Sequence, residues 1–274
     1  MKKYITDSNR AFVSFGGKCA YKCSFCYTFS PQFNTVDIDK LKSIDDVLSY
    51  VHNLKKKNNS IKIIYISGYR ENFIKPDEGI NLLETLFSEF KCHILFTTRN
   101  VFTDHQIERV KKLSKIMKCS RKCLFACVSI SAYDTYEKIE PNSNIPSPPE
   151  RINFLKQLHA NEIITFLALR PIFPDFIIPT GECIKIIDEA FAYCDAIIAS
   201  EFRFDEDILQ NLAHNEEITD HKTDFWSCFD GMAIEKAKVD NEMQIIKAFC
   251  IDKAPLYNSS IPAINDIIRI KLKQ

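Results

Sequence analysis

The chain has 274 residues, 46% of them hydrophobic, with 36 Lys plus Arg against 36 Asp plus Glu, so its formal charge at neutral pH is zero. That length suits one large domain or two small ones, and that apolar content excludes bulk disorder. A neutral chain has no global attraction for a phosphate backbone, which disfavours a nucleic-acid partner, and no apolar run reaches the roughly 18 residues of a membrane span.

The opening MKKYITDSNR lacks the apolar segment of a signal peptide. Eleven cysteines are an odd number in a chain too long to need a disulfide framework, so reduced thiols in a cytoplasm are the expectation.

In chain order, residues 11–15 (AFVSF) read as a short strand. Residues 37–57 place Ile38, Leu41, Ile44, Val47, Leu48, Val51 and Leu54 at helical spacing. The β-branched run 61–67 (IKIIYIS) reads as a buried strand, and 77–90 as a helix with Ile80, Leu83 and Phe87 on one face. Strand 93–98 leads to helix 104–117, with Asp104 as its N-cap. Strand 124–131 leads to helix 147–160, which opens on proline. Strand 163–170, helix 180–193 and strand 196–202 complete the series.

Strands alternating with helices predict a parallel sheet with right-handed crossovers. Helices kept to one side make such a sheet curl, and six strands fall short of a closed eight-stranded barrel. The expected fold is therefore α/β: a partial (β/α)6 barrel of parallel strands with outer helices over residues 1–202. Residues 203–274 form a mixed C-terminal extension with a helix at 232–247, expected to pack on the barrel and close its mouth.

Sites in parallel α/β folds form at the C-terminal ends of strands. There, after the first strand, stands GGKCAYKCSFCY, with Cys19, Cys23 and Cys26. The spacing would put all three on one helix face, but Gly16-Gly17 before them and Pro31 after them favour a loop. Structural zinc wants four ligands, yet only Cys23 and Cys26 make a C-x2-C pair and the nearest histidine is His52. Three thiolates would leave one iron of a [4Fe–4S] cluster without a protein ligand. The run Cys119-x3-Cys123-x3-Cys127 straddles a helix end and reads as coincidental.

C-x3-C-x2-C, with Phe25 just before the last cysteine and a partial barrel around it, resembles the radical S-adenosylmethionine (SAM) superfamily over about residues 11–202. The resemblance implies a [4Fe–4S] cluster on Cys19, Cys23 and Cys26, with Phe25 beside the cofactor. It further implies SAM on the open iron and reductive cleavage to a 5′-deoxyadenosyl radical, with an external reductant such as flavodoxin or ferredoxin. Ser67-Gly68-Tyr69 stands where the family has a GGE turn that holds the SAM amino group; one glycine is kept. Thr98, at the end of the third strand, and Ser129 and Ser131, on one face of the fourth, are candidate hydroxyl contacts. Arg151 and Arg170 are candidate carboxylate holders. Backbone-bonded serines and a solvated Arg151 are the ordinary alternatives.

A finer resemblance is to the branch related to spore photoproduct lyase. It rests on Ile139-Glu140-Pro141, Pro148-Pro149-Glu150-Arg151 and Pro171-Ile172-Phe173-Pro174, in that order after a VSI strand. It leaves the substrate open: no basic, aromatic-interleaved segment is present to grip a duplex. Cys92, Cys119, Cys123, Cys228 and Cys250 are all conceivable hydrogen-atom donors. An activator that installs a radical on a partner protein and a metal-binding scaffold without turnover are the alternative functions.

Overall fold

A computed structural model describes residues 6–7, 10–16, 19–29, 41–66, 70–205, 207–208, 212, 222–227 and 233–272. The short strands β1 (Thr6–Asp7) and β2 (Arg10–Val13) pair antiparallel. β2 then starts a parallel series with β3 (Ile63–Ile66), β4 (His93–Thr98), β5 (Leu124–Ser129), β6 (Ile164–Ile172) and β7 (Ala196–Glu201). Spatial order follows chain order throughout. Each crossover therefore advances in the same direction, which keeps the connecting helices on one side and curls the sheet.

Those helices are α1 (Ile44–Lys57), α2 (Pro76–Phe90), α3 (Asp104–Cys119), the single turn α4 (Tyr136–Ile139), α5 (Pro148–Ala160) and α6 (Thr180–Ala190). Their starts are written locally. Ser43 with Asp46, Thr103 with Gln106 and Ser147 with Glu150 form reciprocal capping boxes, and Pro76 and Pro148 sit in first turns where no N–H is needed. The third helix thus begins one residue after its cap, Thr103; Asp104 lies inside it.

Every position of β3 and β5 is buried, as a parallel sheet covered on both faces requires. Alternate side chains enter two separate cores. Ile64, Ile66, Ile94, Phe96, Ala126 and Val128 face the helices in the larger core. Tyr65, Leu95, Phe125, Cys127, Phe166 and Ile198 face the concave side.

The concave side is covered from the C-terminal segment. β11 (Leu256–Tyr257) adds a seventh parallel strand beside β7, and the last helix, α8 (Ser260–Lys271), sets Ala263, Ile264 and Ile267 against the inner face. Two buried isoleucines at about 2 kcal/mol each give that docking its drive. Between β7 and β11, β8 (Arg203–Phe204), β9 (Lys222–Ser227) and β10 (Ala233–Ala237) make a small antiparallel sheet, and α7 is Asp240–Cys250. The helix expected at 232–247 is corrected accordingly: its first third is β10, paired on both sides, and the helix starts only at Asp240. Tertiary pairing overrides a short apolar spacing that fits either period.

Candidate functional site

A cavity of about 540 Å³ opens at the C-terminal ends of the strands and runs into the concave interior. Cys19, Cys23 and Cys26 all line it. Their loop leaves β2 through Gly16, whose φ of +91° is a conformation glycine adopts without strain. Cys26 N–H donates to the Cys23 carbonyl at 3.1 Å and Phe29 N–H to the Cys26 carbonyl at 3.1 Å, so the segment is a tight loop closed by a single 3-10 turn. The segment around Glu140 clamps it from outside. Ser24 N–H donates to the Ile139 carbonyl at 3.0 Å, and Asn142 Nδ2 to the Ala20 carbonyl at 2.9 Å.

The three thiols are partly exposed toward the cavity. Burial among neighbouring side chains pushes the Cys23 thiol up to about 12 and raises Cys26 as well, although Thr28 hydrogen-bonds Cys26 Sγ at 2.9 Å. Bare thiolates are disfavoured here unless a cation pairs with them. No group of three or more His, Cys, Asp or Glu among the described residues converges to hold one metal ion. A single zinc ion needs such convergence; a cubane does not, because each of its irons takes one thiolate. Three thiols from one loop, all lining one cavity, are the type and number of donors that such a cluster would take.

Behind the loop lies a chain of buried charges. Glu140 is fully buried and accepts from Arg99 Nε at 2.7 Å and Arg151 Nη2 at 2.6 Å. Burial works to raise its carboxyl, but Arg151 and Arg99 outweigh it and hold the group below the usual range. Arg99 also lies 5.4 Å from the centre of the Phe25 ring, which packs edge-on against Phe173. Glu71 accepts from Phe73 N–H at 2.8 Å, Thr98 Oγ1 at 3.0 Å and Arg99 N–H at 2.7 Å; burial still leaves its carboxyl raised.

Several expected contacts move. Phe25, Ser129 and Arg170 line the cavity. Thr98 does not: strand alternation turns it outward onto Glu71 and presents Thr97 instead, whose hydroxyl bonds Tyr65 Oη at 2.9 Å. Ser131 is also away from the cavity, with its hydroxyl donating to the Arg170 carbonyl. Arg151 is neither solvated nor at the site: it is wholly buried and donates to Glu140 and to the Ser129 carbonyl at 2.8 Å. Ser67, Gly68 and Tyr69 lie outside the described residues. Of the cysteines considered as donors, Cys92, Cys123 and Cys250 are buried and Cys119 is exposed; Cys228 lies outside the described residues.

The sequence reading missed Arg10, Tyr65, Arg70 and Arg203, all of which line the cavity. Alternation along β2 and β3 could have pointed to Arg10 and Tyr65, since Arg10 shares a strand face with Phe12 and Tyr65 shares one with Ile63.

No protein-family profile and no curated protein matches the chain. Solved structures do. A point mutant of spore photoproduct lyase superposes with a TM-score of 0.63 at 11% identity, over 89% of this chain and 73% of that one. The chain shares the fold of spore photoproduct lyase. Another mutant of the lyase, with a dinucleoside spore photoproduct, gives 0.63 over 90% of this chain and 81% of that one, at 11% identity. SuiB of Streptococcus suis, bound to S-adenosylmethionine, gives 0.52 at 16% identity over 78% of this chain, which spans about half (48%) of SuiB. The alternation of six strands with helices and its curled architecture are thus borne out. Among the described residues no helix is long and apolar enough to cross a membrane.

Proposed function

We propose that the chain is a radical SAM enzyme of reducing, cytoplasmic surroundings, with Cys19, Cys23 and Cys26 as the ligands of a [4Fe–4S] cluster. The observation that carries this is the convergence of these three thiols on one cavity at the strand ends of this fold. Such a cluster, with one iron left open for the methionine end of SAM, supplies an electron that cleaves SAM to methionine and a 5′-deoxyadenosyl radical.

The protein's own contributions follow from its geometry. The backbone bonds of Ser24 and Ala20 to the segment at residues 139–142 fix the loop that presents the thiols. Arg99, anchored by Glu140, places a permanent cation next to Cys23 and Cys26, and so favours their thiolate forms. Phe25 and Ser129 face the space a cofactor would occupy. Phe12, Phe29 and Phe202 give the cavity apolar walls that limit water beside a reactive radical. The C-terminal extension serves as the cover of the barrel mouth, and a flavodoxin or ferredoxin supplies electrons.

The test is anaerobic purification, reconstitution with iron and sulfide, and a SAM-cleavage assay with a strong reductant. The reading predicts 5′-deoxyadenosine from the wild type and none from Cys26→Ala. Equal traces from both overturn it.

A further inference from the structure

The surface charges are not spread evenly. At the end of the barrel opposite the cavity, strands begin and helices finish. There the segments 53–62 (NLKKKNNSIK), 88–93 (SEFKCH) and 112–123 (KLSKIMKCSRKC) hold ten Lys or Arg and one acidic residue, Glu89. Glu89 is already engaged with His52 at 2.9 Å. Basic side chains nearer the other end have acidic neighbours: Lys75 meets Glu78, Arg109 meets Glu84 and Lys185 meets Asp134, each within 3.0 Å. By contrast, Lys56, Lys62, Lys118 and Arg121 are exposed and, like Lys122, form no ion pair among the described residues.

The helix dipole accounts for only part of this. It favours cations in a last turn, and Lys55, Lys56, Lys57 and Lys118 stand in such turns. Lys62, Lys91, Arg121 and Lys122 lie outside the helices. Lys62 and Lys122 precede β3 and β5, one on each side of His93 at the head of β4, and after burial they are what lowers the His93 pKa. Lys91 and Arg121 follow α2 and α3 with φ of +48° and +54°, a left-handed conformation that glycine usually fills after a helix. Both positions therefore hold a charge at some cost in stability. The basic run stops at β5: the matching left-handed residue after α5 is Glu162, and Asp195, before β7, engages Lys271 at 3.2 Å.

We infer that this face docks on the anionic headgroups of a lipid bilayer and so turns the cavity toward water. Its composition selects that partner. Lysine predominates, and its ammonium is a point charge suited to a diffuse anionic surface. Protein interfaces and single-strand-binding surfaces rely instead on Arg and aromatic rings, and the aromatic rings of these three segments, Phe90 and His93, are buried. Ile116, 57% exposed in the last turn of α3 beside Lys115, offers an apolar side chain to the headgroup boundary. An acidic electron donor is a poor occupant: its electron would have to cross the length of the strands, about 20 Å along the six residues of β4, to reach the cysteine loop.

The test is cosedimentation of the full chain with vesicles of phosphatidylglycerol and phosphatidylcholine in equal parts, against vesicles of phosphatidylcholine alone. It needs no cluster, so its outcome is separate from that of the proposed function. Saturable binding to the anionic vesicles only is expected, and added salt should release the protein. Lys91→Gly combined with Arg121→Gly should weaken binding about thirtyfold and at the same time raise the melting temperature, because glycine relieves both left-handed positions. Lys62→Gln combined with Lys122→Gln should weaken it to a similar extent. Lys75→Gln combined with Lys185→Gln, at the other end of the barrel, should bind as the wild type does. Three results overturn the inference: no saturable binding to the anionic vesicles, wild-type binding by both of the first two double variants, or tighter binding of a DNA duplex or of polyglutamate than of these vesicles.

Discussion

Arg151 and Arg170 make opposite use of the same side chain. Arg151 is wholly enclosed; Glu140 neutralises it and the Ser129 carbonyl takes a second hydrogen bond. Arg170 instead reaches the cavity; the Nε of each is buried without an acceptor among the described residues, so the difference lies in the rest of the guanidinium. The first arginine belongs to the scaffold that holds the cysteine loop, and the second to the space in front of it. Arg151 lies in helix α5 and Arg170 in strand β6, yet each stands near proline and neither element says which one is neutralised. The separating fact is a carboxylate, Glu140, which contacts only one of them.

The comparison is broken most severely by removing that carboxylate. Glu140→Leu leaves Arg99 and Arg151 buried without a counter-charge. Denaturant unfolding should show a loss of about 3–5 kcal/mol, a large share of a domain's whole stability. Arg151→Met should cost about 2–3 kcal/mol, because Glu140 keeps Arg99 as a partner. Arg170→Met should cost nothing measurable or stabilise the fold slightly; a loss equal to that of Arg151→Met would make both arginines structural.

A buried titratable group without any charge partner extends the comparison. His93 is buried on β4, where its Nδ1 accepts from Cys123 N–H at 3.0 Å. Burial, with help from Lys122 and Lys62, lowers its pKa from 6.5 to about 4. Between those values the unfolded chain binds the proton and the folded chain resists it, so stability falls as pH drops through the window. Unfolding at pH 5 against pH 7 should show a loss of about 2 kcal/mol from this residue, and His93→Gln should remove that part of the slope. The smallest effect belongs to an exposed pair: Lys75 and Glu78, 3.0 Å apart in solvent, should contribute less than about 1 kcal/mol, so Lys75→Ala is close to silent.

Much of the scaffold was legible in the sequence. β-branched runs such as IIYI and capping pairs such as Ser147 with Glu150 carry their structural meaning locally. The segment after residue 202 was not, because β10 and β11 are short and owe their existence to pairing with distant strands. The site divided along the same line. Three cysteines in one loop stand out by spacing, and the glycines before them and the strand–helix alternation around them give that spacing its reading. Thr98 and Arg151 misled, because which face a strand end presents, and whether an arginine has a buried partner, depend on residues far away. Glu140 lies 41 residues from Arg99, and Ser260 lies 250 from Arg10. The cavity floor is assembled from such distances and has no signature in any short stretch.

The central claim is an open iron on a three-cysteine cluster, and electron paramagnetic resonance of the reduced, reconstituted chain tests it most directly. With SAM added, the account predicts a clear change in the cluster's signal, as the vacant iron gains a ligand, and no cluster signal at all in Cys23→Ala. An identical spectrum with and without SAM, or a full cluster in Cys23→Ala, would contradict it.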